Sequence, residues 1–310
     1  MKLIENIEDI DNPFPNAVIT IGNFDGVHIG HQALFHAVIE KAGILEGTAI
    51  AMTFEPHPIR VLKKNGHPPL ITPFNQKVEL IAATGIDVLI CLPFTRRFAA
   101  VTAKEFVLDM LLGRIGMHTI VVGKDYAFGK NREGNLNLLK SYAELYDFTV
   151  DVVDWIPISN GIPLRISSTR IRKMLLEGNV GEAQKLLGRH YRISGVVVPG
   201  RNRGGKLLGF PTANIRLREE LCPKNGIYAV TVECRGETRR GVANIGYSPT
   251  FENNEFTVEV YILDFDEDIY GESIAIKFIE RIRDEIKFSG VPELSRQIAM
   301  DVQKARDILT

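Results

Sequence analysis

The sequence predicts an α/β domain with a doubly wound parallel sheet, followed by a small antiparallel β-barrel domain that ends in a helix. Three observations carry this prediction. The 310 residues exceed the usual size of a single core. In the first half, short apolar runs alternate with helical patterns, which is typical of a parallel sheet built through crossovers. From Tyr191 onward, short strands follow one another with turn residues between them, which favours a barrel or a sandwich.

Five apolar runs in the first half predict strands, and the stretches between them have the spacing of helices. The strands are expected at residues 17–21, 48–54, 88–92, 119–122 and 149–153, and the helices at 32–42, 75–83, 103–112 and 136–145. Because these strands are apolar along their whole length, helices should cover both faces of the sheet.

The segment ISSTRIRKMLLEGNVGEAQKLLG, residues 166–188, predicts two short helices interrupted at Gly178. Strands are then expected at residues 191–198, 226–234, 239–246, 256–263 and 273–279. The last segment is helical, with an apolar face formed by Leu294, Ile298, Val302, Ala305 and Leu309. The change of pattern predicts two domains, residues 1–187 and 188–310.

The charge balance argues against a nucleic-acid or membrane partner. Lys and Arg number 37 and Asp and Glu 38, so any phosphate binding must be local. The three cysteines show neither CxxC nor zinc-finger spacing, which favours a reducing compartment. No apolar run approaches the ~20 residues of a membrane helix. We therefore expect a cytoplasmic protein. An oligomer is possible, but nothing in the sequence indicates one.

The stretch GNFDGVHIGH, residues 22–31, joins the first predicted strand to the first helix. Its glycines allow the backbone to approach a ligand closely, and the following helix offers N–H groups and a positive dipole to an anion. His28 and His31, three residues apart, can point the same way and donate to one phosphate. No GK[ST] follows, so this is not a Walker loop. Either histidine could instead be an ordinary surface or core residue.

Two motifs in this chain resemble the signatures of the nucleotidylyltransferase superfamily. His28-Ile29-Gly30-His31 is similar to its HxGH motif, and ISSTRIR, residues 166–172, is similar to its ISSTxxR motif. The resemblance implies a Rossmann-like nucleotidylyltransferase fold for the N-terminal domain.

Longer motifs narrow the resemblance to one family. GNFDGVHIGHQ, TFEPHP at 53–58, VVGKDYAFGKNREGN at 121–135 and LRISSTRIR resemble the FMN adenylyltransferase module of prokaryotic bifunctional riboflavin kinase/FAD synthetases. In the second domain, GRNRGGKLLGFPTANI at 200–215, VANIGYSPTF at 242–251 and VEVYILDFDEDIYGE at 258–272 resemble the riboflavin kinase module. The resemblance implies ATP, riboflavin and FMN as substrates and Mg²⁺ as cofactor.

For the first domain, the resemblance implies attack of the FMN phosphate on the α-phosphorus of ATP, with release of pyrophosphate. His28 and His31 would be the catalytic residues, holding the triphosphate and stabilising the transferred group. The ATP and phosphate contacts would come from Gly22, Phe24, Gly26, Gly30, Arg165, Ser167, Ser168, Thr169 and Arg172. The flavin candidates are Phe54, His57, Asp125, Tyr126 and Phe128, although each aromatic ring could be plain core and Asp125 could serve magnesium.

For the second domain, the resemblance implies transfer of the γ-phosphate of ATP to the 5′-hydroxyl of riboflavin. Glu259 would be the catalytic base, and Thr212 and Asn214 would bind Mg²⁺ with ATP. Alternation within FTVEVYIL puts Thr257, Glu259 and Tyr261 on one face. The remaining candidates are Gly204, Lys206 and Gly209 for phosphate and Asn244 for flavin. From the residues alone, the glycine-rich segment could be a flexible basic loop and Glu259 a solvent-facing carboxylate.

Two alternatives remain open at this point. The chain could be a flavin or nucleotide sensor with an enzyme-like fold and reduced catalysis, although His28, His31, Thr212, Asn214 and Glu259 are all present. It could also be a nucleotidylyltransferase with another acceptor, such as nicotinate mononucleotide or phosphopantetheine. The motifs of the second domain argue against that acceptor change.

Overall fold

The computed structural model describes residues 1–63, 66–154, 166–199, 209–217, 221–248 and 255–310. They form two compact units, Met1–Ser167 and Ser168–Thr310. Arg165, Gly204 and Lys206, which the sequence analysis assigned to phosphate binding, lie outside the described residues.

Parallel strands form the centre of the first unit. Its strands are β1 (Lys2–Ile4), β2 (Ala17–Ile21), β3 (Ala49–Glu55), β4 (Val88–Pro93), β5 (Met117–Gly123), the short β6 (Ala127–Phe128) and β7 (Gly134–Asn135), and β8 (Thr149–Val153). Six of them form a sheet in the order β1-β4-β3-β2-β5-β8 with parallel pairing throughout. All five predicted strands are confirmed. β1 was not predicted, because three residues beside a polar stretch carry little pattern.

Helices cover both faces of this sheet, as the continuous apolar strands predict. They are α1 (Ile29–Ile44), α2 (Pro58–Leu62), α3 (Phe74–Ala82), α4 (Ala103–Glu105), which continues as a wider π-helix over Phe106–Ile115, and α5 (Leu136–Tyr146). Along β3, Ile50 and Met52 pack on one side with Leu139 of α5. Ala49 and Ala51 pack on the other side with α1. The doubly wound prediction is therefore confirmed.

The strand order places the end of β2 at the switch point of the sheet. The chain leaves β2 to build β3 and β4 on one side and returns to build β5 and β8 on the other. In open α/β sheets, ligands bind at the carboxyl ends of strands where the order reverses. The turn that follows Ile21 emerges at that point.

The second unit contains a closed antiparallel barrel. The helices of this unit are α6 (Ser168–Leu176), α7 (Val180–Leu187) and α8 (Val291–Ile308). Its strands are β9 (Tyr191–Val198), β10 (Ala213–Arg216), β11 (Gly226–Cys234), β12 (Glu237–Ser248), β13 (Glu255–Ile262) and β14 (Ser273–Arg283). The barrel runs β10-β13-β12-β11-β14-β9. The predicted barrel, its five strands and the C-terminal helix are confirmed, and β10 is added. No described helix is long and apolar enough to cross a lipid bilayer.

Helix α8 packs on the outside of the barrel. Ala305 is buried against Ile227, Ala229 and Val242 of β11 and β12. One buried ion pair anchors the helix, because Asp301, only 4% exposed, accepts hydrogen bonds from Arg283 Nε at 2.9 Å and Nη2 at 2.6 Å. Gln297 Nε2 donates to the same carboxylate at 3.0 Å.

Replacing Asp301 with Ala should destabilise the barrel by about 3 kcal/mol, because Arg283 would stay largely buried without its partner. Hydrogen exchange of the β11 and β14 amides measures the free energy of unfolding of this unit. The matched control is Asp307→Ala on the same helix, which should cost less than about 0.5 kcal/mol, because the Asp307 carboxylate is exposed and its partner among the described residues is the Gln303 amide at 2.9 Å. Equal effects of the two substitutions would contradict the anchor.

Candidate functional site

The turn after β2 is held in an unusual backbone conformation. Phe24, Gly26 and Val27 have positive φ angles of 50°, 87° and 39°. Phe24 and Val27 are nevertheless buried in the core, and the Phe24 ring packs at 4.8 Å from that of Phe35 in α1. Left-handed non-glycine residues persist only where the surroundings over-determine them, and such residues cluster at functional sites.

Asp25 ties the turn to a distant segment. Its Oδ1 accepts hydrogen bonds from the backbone N–H groups of Ile71 at 2.9 Å and Thr72 at 3.1 Å. The Thr72 hydroxyl in turn accepts from the N–H of Gly26 at 2.9 Å. Sequence spacing does not assign Asp25 a role, because its partners Ile71 and Thr72 lie far along the chain. The available sequence signal for this contact was a single carboxylate between Phe24 and Gly26 in an otherwise uncharged turn.

The structure brings His28 and His31 together at the N-terminus of α1. His28 caps the helix, with Nδ1 accepting from the backbone N–H of His31 at 3.3 Å. The two rings stack with centroids 3.5 Å apart and an interplanar angle of 18°. Because Nδ1 of His28 is an acceptor, the proton of the neutral ring lies on Nε2, which can then donate to an anion. This cap also starts the helix at Ile29, earlier than the predicted residue 32.

The glycines of the turn are placed where side chains would collide with the site. A Cβ at Gly30 would lie 3.2 Å from Nδ1 and Cε1 of the His28 ring, and one at Gly22 would lie 2.7 Å from the Phe24 ring. The same Cβ at Gly30 would lie 3.9 Å from Ile166, the first residue of the ISSTRIR motif. Within the first unit, the beginning of the second motif therefore lies beside the first.

The remaining residues of the second motif lie at the start of α6. Ser167 ends the first compact unit, while Ser168, Thr169 and Arg172 lie in the opening turns of α6 in the second unit. Hydroxyl and guanidinium groups at a helix start are suited to binding phosphate.

A row of packed aromatic side chains, here called the aromatic chain, connects the three aromatic flavin candidates, Phe54, Tyr126 and Phe128. Tyr126 and Phe128 stack with centroids 5.3 Å apart, and Phe54 packs at 5.3 Å from Phe98. Phe106 bridges the two pairs, 6.1 Å from Phe128 and 6.2 Å from Phe98. Burial raises the pKa of Tyr126, and its hydroxyl makes no hydrogen bond with any described residue.

The other two flavin candidates differ in their surroundings. His57 caps α2 by accepting from the N–H of Ile59 at 3.1 Å, so its ring has a local structural role. Asp125 is exposed after β5.

In the barrel, three polar residues lie on one rung of adjacent strands. Glu259 of β13 pairs directly with Asn214 of β10 on one side and with Asn244 of β12 on the other. All three therefore project from the same face, while Val258 and Val260 are buried on the opposite face. Burial raises the pKa of Glu259, and no described Lys or Arg forms an ion pair with it. The Oδ1 atom of Asn244 is buried and accepts no hydrogen bond from any described residue.

A cavity of about 290 Å³ lies beside Thr212. One wall comes from Pro211, Thr212 and Ala213, and another from residues 265–270, which include Phe265, Ile269 and Tyr270. In the sequence, that loop stands out only through its resemblance to the riboflavin kinase module. The acidic residues Asp266, Glu267 and Asp268 between Phe265 and Tyr270 were the available sequence signal for this cavity wall. Gly209, with a φ of 75°, precedes this wall.

The fold and the candidate sites are typical of a two-domain enzyme of phosphate chemistry, with a stacked imidazole pair at a sheet switch point in one unit and a carboxylate between two amides in the other. Family models match both halves, FAD synthetase over residues 11–170 and riboflavin kinase over residues 187–309. The chain is 39% identical to the bifunctional riboflavin kinase/FMN adenylyltransferase of Escherichia coli strain K12, covering 99% of this chain and 97% of that one. It is 40% identical to the Listeria monocytogenes protein of the same name, covering 94% and 92%.

A solved structure described as a macrolide-efflux protein from Streptococcus pneumoniae superposes with a TM-score of 0.88 at 36% identity, covering 98% of both chains. The chain belongs to the family of bifunctional riboflavin kinase/FMN adenylyltransferases. It is thus an enzyme with both activities, and the sensor and altered-acceptor alternatives are not favoured.

Replacing Gly30 with Ala should reduce FAD formation by at least about tenfold, because the new Cβ would displace the His28 ring. The rate from FMN and ATP, measured by chromatography, tests this. Gly43→Ala in the same helix is the control, since a Cβ there meets nothing within 4 Å and should change the rate less than about twofold. A normal rate in the Gly30 variant would show that the ring position is unimportant.

Proposed function

We propose that residues 1–187 adenylylate FMN and residues 188–310 phosphorylate riboflavin. The regions matched by the two family models support this division. The observation that carries the first assignment is the stacked pair of imidazoles at the N-terminus of α1, beside a sheet switch point. The corresponding observation for the second is the rung of Asn214, Glu259 and Asn244.

In the first reaction, an oxygen of the FMN phosphate attacks the α-phosphorus of ATP. The bond from that phosphorus to the bridging oxygen breaks, and pyrophosphate leaves with the electron pair. His28 and His31 donate hydrogen bonds to the oxygens that gain charge, reinforced by the positive end of α1. Further phosphate contacts come from Gly22, Phe24, Gly26, Gly30, Arg165, Ser167, Ser168, Thr169 and Arg172.

The flavin ring of FMN is proposed to bind along the aromatic chain. Phe54, Tyr126 and Phe128 offer flat apolar surfaces that suit the isoalloxazine ring. The buried Tyr126 hydroxyl, which has no partner among the described residues, would gain one from a polar ring edge. His57 and Asp125 complete the proposed contacts.

In the second reaction, Glu259 accepts the proton of the riboflavin 5′-hydroxyl while that oxygen attacks the γ-phosphorus of ATP, and ADP leaves. A raised pKa suits this role, because a general base works best when its pKa approaches the working pH. The amide oxygen of Asn244 on the same rung, which has no partner in the described part of the chain, could accept a hydrogen bond from a substrate hydroxyl. The cavity beside Thr212 is proposed to receive the nucleotide, with Gly204, Lys206 and Gly209 holding its phosphates.

The donor set near Thr212 fits magnesium. The Thr212 hydroxyl and the Asn214 amide oxygen are hard oxygen donors of the kind that Mg²⁺ prefers. No group of three His, Cys, Asp or Glu suitable for a metal occurs in the part of the chain that the structure describes. Thr212 and Asn214 would hold Mg²⁺ together with the phosphates of ATP, and the ion would supply charge neutralisation there. We also place the enzyme in the cytoplasm, in keeping with its buried thiols Cys91 and Cys234.

His28→Ala should lower FAD formation by about 100-fold or more while FMN formation continues, because only the first site loses its donor. Glu259→Ala should lower FMN formation by about 100-fold or more while supplied FMN is still adenylylated. Chromatography of riboflavin, FMN and FAD measures both rates in one sample, so each variant carries its own control. Loss of both activities in a folded variant would refute the division.

The kinase rate should fall with decreasing pH at values above the ordinary glutamate range. The active form of Glu259 is the carboxylate, and a raised pKa means that this form is lost at a higher pH as acid is added. Initial rates of FMN formation across pH measure this acid-side fall of the kinase rate. The fall should be missing from the residual rate of Glu259→Ala. An unchanged fall in that variant would assign the titration to another group.

A further inference from the structure

Lys77 is a buried lysine beneath the turn that carries the imidazole pair. It lies on α3, is 3% exposed, and its Nζ is 3.4 Å from the carbonyl oxygen of Asn23 and 3.3 Å from Oγ1 of Thr53. The Thr53 hydroxyl itself donates to the Asn23 carbonyl at 3.3 Å. Three elements, α3, β3 and the turn, therefore meet at one ammonium group.

The surroundings of this ammonium are unusual for a purely structural position. No described carboxylate forms an ion pair with Nζ, and the ring of Phe74 lies 5.8 Å away. The titratable groups that face it are Cys91, Glu55 and Asp25, and burial lowers its pKa. A buried charge without an adjacent counter-charge is costly, so an apolar side chain would stabilise the fold better.

The segment that contains Lys77 holds the turn at two points. Ile71 and Thr72, just before α3, bind the Asp25 carboxylate, and Lys77 binds the Asn23 carbonyl. Residues 71–77 therefore brace the backbone on both sides of Phe24. Beyond this brace the chain continues directly into His28.

We propose that Lys77 is a positioning residue of the adenylyltransferase site, which fixes the turn of residues 22–28 and thereby the His28 imidazole. This inference rests on the proposed role of His28. Lys77 acts on the site indirectly, because its ammonium group binds the backbone carbonyl of Asn23 in the turn. Its loss should therefore misalign the group that stabilises the transition state while leaving the flavin contacts in place.

The test compares Lys77→Met with the wild-type full-length enzyme. The expected result is a fall of about tenfold or more in kcat for FAD formation, with the KM for FMN and the rate of FMN formation both within about twofold. Lys77→Arg, which keeps the charge and the donors, should recover part of the lost kcat. The matched control is Lys140→Met on α5, an exposed lysine, which should leave both activities unchanged.

A Lys77→Met enzyme with normal kcat for FAD formation would overturn the proposal, as would a loss that falls entirely on the KM for FMN. If that variant fails to fold, Thr53→Val decides instead, since it removes the shared hydroxyl at nearly constant volume. It should lower kcat for FAD formation by about threefold or more with FMN formation intact, and a normal rate would overturn the proposal. If His28→Ala impairs FAD formation while both brace variants are normal, only this inference fails; if His28→Ala is also harmless, the proposed function fails.

Discussion

The first unit depends on a helix whose opening turn is capped by an imidazole. The cap consumes one nitrogen of His28 and thereby decides which nitrogen carries the proton. It also brings the ring into a stack with His31, three residues later. A serine or aspartate would cap the helix equally well, but neither would leave a ring donor at its positive end. Capping and anion binding therefore depend on the same side chain.

In the barrel, strand alternation and register, rather than a helix cap, place the polar residues of the candidate site. Its interior is filled by the alternate residues of β13, including Val258 and Val260, so the intervening residues must face outward. On that outward face, strand register aligns Asn214, Glu259 and Asn244. The apolar face keeps the strands fixed, and a one-residue slip would turn the Glu259 carboxylate into the barrel interior. The positions of Asn214, Glu259 and Asn244 are therefore fixed by the packing of the barrel core.

Much of the fold could be predicted because its signals are local. The strands at 17–21, 149–153, 191–198 and 226–234 have the predicted bounds, since they are apolar runs between turn residues. Strand β10 could not be recognised, because only two of the four residues of Ala213–Arg216 are apolar and the segment becomes a strand by pairing with β9 and β13. The brace from Asp25 and Lys77 was missed for a related reason, as its partners are remote in sequence. Helical spacing placed the two histidines together, but only tertiary structure aligns Asn214 with Glu259.

Closure of the barrel also orders the assembly of its polar rung during folding. Strands β12 and β13 are consecutive, so the pairing of Asn244 with Glu259 needs only a local contact. Asn214 lies on β10, which must join β13 to the first strand of the barrel before the ring is complete. Non-local pairings form late because loop closure costs entropy before contacts repay it. We therefore expect the third member of the rung to arrive last, so that nascent barrels lack a complete rung until the ring has closed.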